Sequence, residues 1–81
     1  MFINKAENGN NNICGEHIAN VRKHMKISQR ELAGRLQLIG LDVDKNAVQR
    51  IEAGKRFVTD IELVALSRVL HMQVSNLLGL E

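Results

Sequence analysis

No proline interrupts this chain of 81 residues. An average protein of the same length carries about four, at a usage of about 5%, and places them at turns. Only two aromatic residues, Phe2 and Phe57, are present to fill a small β barrel or to stack on one another. The chain therefore reads as all-α. Its length holds one domain, which buries only about 60% of its unfolded surface, so folding stability is small and dimerisation would add to it.

The apolar spacing divides the chain into five helices. Residues 1–12 contain five asparagines and Gly9 and follow neither a helical nor a strand period. They read as a flexible arm, unable to offset its ordering entropy, followed by a domain over 13–81. Ile13, Ile18, Val21 and Met25 then line one face of a helix over about 14–25. Ser28 with Glu31 has the form of a capping box, opening a second helix whose stripe is Leu32, Ala33, Leu36 and Ile39. Gly40 supplies the left-handed stop, with Leu41 placed to touch Leu36. Asp44 caps a third helix over about 45–53, where Val43 and Val48 are spaced as a hydrophobic staple, and Gly54 closes it. Thr59 with Glu62 repeats the capping box and opens a fourth helix over about 60–70, carrying Leu63, Leu66, Val69 and Leu70. After His71 and Met72 a last short helix ends near Leu78. A compact five-helix domain is expected.

Charge is unevenly spread. Residues 22–56 hold nine Lys and Arg against four Asp and Glu, net +5, whereas the remainder holds two against five, net −3. An anionic partner at the central segment follows. The lone Cys14 cannot form an internal disulfide and no signal-peptide pattern opens the chain, so a cytoplasmic protein is expected. The longest apolar run, Leu63 to Leu66, is far below the roughly 20 residues that cross a bilayer, and no membrane partner is expected. Cys14, His17 and His24 do not complete a four-ligand metal set, and no nucleophile, base and orienting group stand together. The expectation is a protein without metal, cofactor or catalysis. Scarce aromatics also argue against a single-stranded nucleic acid as ligand.

Two helices joined by a short turn, the second opening with polar side chains amid positive charge, form the skeleton of a DNA-reading helix-turn-helix. The segments Ser28-Gln29-x-x-Leu32-Ala33 and Val48-Gln49-Arg50-Ile51-Glu52-Ala53-Gly54-Lys55 resemble the phage-repressor and Cro-like helix-turn-helix family, from about Gly15 to Leu78. The resemblance implies a bacterial or phage-encoded transcriptional regulator, a repressor acting as a homodimer on double-stranded DNA at an inverted-repeat operator. It also implies that Arg22 and Glu52 form a structural ion pair. One departure stands out: the family usually has about five fewer residues where this chain has Gln37 to Leu41, and five helical residues would lengthen the second helix by about 7.5 Å.

On the third helix Lys45, Asn46, Gln49 and Arg50 are not needed by the apolar stripe. Arginine pairs bidentately with guanine, and asparagine or glutamine with adenine, so these four are assigned to base reading. Lys55 and Arg56, with Ser28 and Gln29 at the first amides of the second helix, are assigned to phosphates. The dimer interface is expected at Leu77, Leu78 and Leu80, since a short terminal helix has little room to hide three leucines. The insertion, with Leu38 and Leu41, is the alternative surface. Two rival functions remain: an antitoxin that holds a second protein, and a helical interaction module without DNA affinity.

Overall fold

The computed structural model describes residues 4–80. They form five helices in chain order: α1 Gly15–His24, α2 Gln29–Leu38, α3 Lys45–Glu52, α4 Asp60–Leu70 and α5 Val74–Leu77. Ile18, Leu32, Leu36, Val48, Ile51, Leu66 and Leu77 are the largest fully buried side chains, and they draw all five helices onto one core. α2 packs on α3, and α1 crosses α3, α4 and α5.

Helix starts follow the capping residues, with one difference. Thr59 Oγ1 accepts the Glu62 amide at 3.2 Å while the Thr59 amide donates to Glu62 Oε1 at 2.9 Å, a complete capping box. At α2 only half of the box forms. Ser28 Oγ accepts the Glu31 amide at 3.0 Å, but the Glu31 carboxylate turns to Arg35, four residues on, at 2.8 Å. A cation one turn ahead competes with the capping amide for that carboxylate. Asp44 caps α3 by accepting the Ala47 amide at 2.8 Å.

All five helices end on the same paired bond, in which two successive amides reach back three and five residues. In α2 the Gly40 amide donates to the Gln37 carbonyl and the Leu41 amide to the Leu36 carbonyl, both at 3.0 Å. The turning residue is left-handed each time: Lys26 at φ 59°, Gly40 at 95°, Gly54 at 76°, His71 at 56° and Gly79 at 73°.

Several expectations are corrected. Of the five surplus residues only Gln37 and Leu38 are helical; Ile39, Gly40 and Leu41 form the stop, and the Gln37 side chain then holds the Val43 carbonyl at 2.7 Å. α2 is thus not extended by all five, because Gly40 ends it. Ile13 and Ile39 are exposed rather than core, since each lies beyond a helix end. Leu77, assigned to a dimer interface, has 0% exposure, and Leu78 is packed against the same core, leaving Leu80, at 71%, as the exposed leucine of that set. α5 hides its leucines because α1 and α4 both cover it. At the end of the segment read as an arm, the Asn11 amide donates to the Gly54 carbonyl at 2.7 Å, and the side chains of Asn11 and Asn12 are bonded to the end of α3 and the loop after it. Its first three residues lie outside the described ones.

Candidate nucleic-acid interface

α3 presents two kinds of surface. Ala47, Val48 and Ile51 face the core, and the burial of this stripe fixes the rotation of the helix. Lys45 with Gln49, and Asn46 with Arg50, stand one turn apart in two adjacent columns on the exposed side. All four side chains are exposed and make no hydrogen bond or ion pair with the described residues. The patch extends about 7.5 Å along the helix, short enough to sit within one major groove.

The C-terminal half of α3 is held firmly. Arg22 reaches from α1 to grip the Glu52 carboxylate with Nε at 2.7 Å and Nη2 at 3.0 Å, and its Nη1 donates to the Ile27 carbonyl at 2.9 Å. Glu52 raises the affinity of Arg22 for its proton, chiefly through these hydrogen bonds, against the opposing effect of burial. Gln29 at the start of α2 donates to Glu52 Oε1 at 2.9 Å, so one carboxylate ties α1, α2 and α3 together.

Among the phosphate candidates, Ser28 and Lys55 are exposed, and Lys55 has no side-chain partner among the described residues. The Gln29 side-chain amide Nε2 is committed to Glu52, so its backbone amide, at the head of α2, is the donor left for an anion. The two helix starts differ in charge. Asp44 places a carboxylate on the first amides of α3, whereas α2 is capped by neutral Ser28 and the Glu31 carboxylate in its first turn is paired with Arg35. Arg56 is withdrawn from the phosphate set. Its guanidinium forks onto Glu62 at 2.9 and 2.8 Å, and it is the chief cause of a Glu62 carboxyl held below its ordinary value. Its charge is spent on the start of α4.

Sequence reasoning missed Asn12. Its Nδ2 donates to the Ile51 carbonyl at 3.0 Å and the Arg56 carbonyl at 2.8 Å, while its Oδ1 accepts the Gly15 amide at 2.9 Å. Asn11 Nδ2 adds a bond to the Lys55 carbonyl at 2.9 Å. The end of α3 and the Lys55 loop are therefore held from below by two side chains. Gly15 permits the approach, because a β-carbon there would overlap the Ile51 carbonyl oxygen. An asparagine three residues before a helix-opening glycine was the available signal.

Cys14 is buried, and burial pushes its thiol up from its ordinary value, which keeps it protonated. His17 and His24 are exposed, with His24 Nδ1 2.8 Å from the Asn20 carbonyl. No group of three or more His, Cys, Asp or Glu that could hold a metal ion stands together among the described residues.

Known proteins share this fold. A helix-turn-helix family model matches residues 18–75, from within α1 to the start of α5. Among solved structures, the P22 c2 repressor crystallised in complex with a synthetic operator in the presence of thallium ion superposes with a TM-score of 0.73 and 28% identity. The match covers 85% of this chain and 97% of that one. No curated protein sequence matches the chain. With most of α1 to α4 inside the family match and the repressor architecture reproduced, the chain belongs to the phage-repressor and Cro-like helix-turn-helix family.

Proposed function

We propose that the chain is a transcriptional regulator that binds double-stranded DNA in a sequence-specific manner, as a homodimer on an inverted-repeat operator, and acts there as a repressor. The observation carrying this reading is the set Lys45, Asn46, Gln49 and Arg50, without a partner among the described residues, on the exposed side of a helix whose other side is locked into the core. The similarity to a repressor crystallised with operator DNA supports the same reading. In it, Arg50, Gln49 and Asn46 read base edges with Lys45 beside them, while Lys55, Ser28 and the first amides of α2 bind phosphates. Two copies would set their recognition helices about 34 Å apart, giving half-sites about 10 base pairs between centres. The setting is the cytoplasm, where regulated DNA is reached; among the described residues no helix is long and apolar enough to cross a membrane.

Selection from randomised duplexes, followed by gel shifts of the selected sequence at low and near-physiological salt, tests the proposal. Enrichment of an inverted repeat that stays bound at the higher salt is the expected result. Binding without sequence enrichment, lost as salt rises, would leave only electrostatic adhesion and sink it.

A further inference from the structure

The outer side of α4 is apolar where a lone domain needs no apolar surface. Ile61 is 73% exposed, Val64 44%, and Ile39 at the end of α2 51%. Single exposed aliphatics are ordinary on a protein surface. These three instead line one groove of about 460 Å³ between α4 and the α2 stop, with Asp60 and Arg68 at its margins.

The charges say what fits there. Asp60, Val64 and Arg68 are spaced four and four along α4, so they form one row with an acid at one end, a base at the other and an aliphatic residue midway. Neither charged side chain is paired among the described residues, whose ion pairs are Arg22–Glu52, Arg35–Glu31 and Arg56–Glu62. Each suits its end of the helix macrodipole, which accounts for the charges alone but not for the apolar residues between them. A twofold axis through Val64 reverses the row, setting Asp60 against Arg68 of a second copy twice over. Ala65, beside the axis, is small enough to let two helices approach to about 8–10 Å. An arbitrary acidic or basic partner would satisfy one margin and repel the other.

We propose that this groove is the homodimer interface, with two α4 helices packed antiparallel across a twofold axis, Ile61 and Val64 at its centre and reciprocal Asp60–Arg68 pairs at its rim. The inference rests on the reading that the chain acts as a pair of copies, and it replaces the C-terminal leucines as the contact surface.

Sedimentation equilibrium of the full chain and of charge-reversal variants tests it. Asp60→Lys and Arg68→Glu should each weaken self-association at least about tenfold, since each puts two like-charged contacts in one interface. An equimolar mixture of the two variants should recover the association, because every contact is again between opposite charges. That recovery also shows that both variants fold. Leu80→Asp should sediment as the unaltered chain. Variants that associate as tightly as the unaltered chain, a mixture that stays monomeric, or an unaltered chain that is monomeric throughout would each overturn the proposal. Anisotropy titrations with operator duplex keep the two readings apart. Dimers that obey the charge rule but ignore DNA would sink the regulatory function alone, whereas operator binding by pairs indifferent to Asp60→Lys would sink the interface alone.

Discussion

The two halves of α3 are treated in opposite ways. Its exposed side from Lys45 to Arg50 carries four polar side chains that bond to nothing among the described residues. Its last turn and the loop beyond it are tied by Arg22, Gln29, Asn11 and Asn12. Rigid support and free donors are separated by less than two helical turns. A side chain that must pair with a base edge cannot also be spent on the fold, and the fold must hold its backbone still, because a recognition helix that rocks loses the register of every contact it makes. Substitutions in the two halves should therefore divide cleanly into those that move stability and those that move binding.

The largest effect should come from the supported half. Glu52→Ala removes the partner of Arg22 and of the Gln29 amide together, leaving a mostly buried guanidinium facing no opposite charge. Breaking such a pair from one side costs about 3–5 kcal/mol. Denaturant unfolding followed by circular dichroism should show a midpoint shifted far down, and an unshifted midpoint would remove the junction from the account of the fold. Asn12→Ala should follow, at about 1–3 kcal/mol, since the Ile51 and Arg56 carbonyls and the Gly15 amide all lose a partner. The base preference selected by the variant should match that of the unaltered chain; a changed preference would show that the clasp shapes recognition directly.

The exposed half should behave the other way round. Arg50→Ala and Gln49→Ala are expected to keep the unfolding midpoint within about 0.5 kcal/mol, the usual range at exposed positions, and to relax base preference by about 1–3 kcal/mol for each bidentate pairing removed. Lys55→Ala should weaken binding to all duplexes alike and reduce the steepness of the salt dependence by about one, as expected for one phosphate contact. A Lys55→Ala protein that selected a different sequence would erase the boundary between the reading and supporting regions.

Much of this organisation was legible in the sequence because it is local. Capping residues at Ser28, Asp44 and Thr59 announce their helices through bonds that span three residues, and Gly40 and Gly54 announce stops through a backbone shape that glycine adopts freely. Lys26 and His71 make the same stop without that signature, because bonds on either side hold a left-handed turn that costs a non-glycine residue about 1–2 kcal/mol. The exposed set on α3 was found by elimination from the apolar stripe, which needs only the helical period. What stayed hidden depends on distant residues. Leu77 is buried by α1 and α4, Arg56 is claimed by Glu62, and Asn12 looks like one more polar residue in an asparagine-rich segment until Ile51 and Arg56 are brought beside it.

The smallest expected effect sharpens the same boundary through pH. Arg56 and Glu62 lie between the Lys55 loop and α4, and the Glu62 carboxyl is held below its ordinary value of 4.5 first by the Arg56 hydrogen bonds, with the Thr59 amide adding to them and burial opposing. A group whose folded value is depressed binds its proton more readily when unfolded, so its contribution to stability is complete above about 4.5 and is lost as the pH falls through the lower folded value. The pair is partly exposed, which limits that contribution to on the order of 1 kcal/mol. Unfolding midpoints measured from pH 7 down to pH 3 should fall for the unaltered chain across the acid end of that range. In Glu62→Gln the group that titrates is gone, so its acid loss should be smaller by that amount, with a lower midpoint already at pH 7. Parallel pH profiles for the two proteins would mean that Arg56 is not committed to Glu62 in solution, and would return it to the set of cations free to meet phosphate.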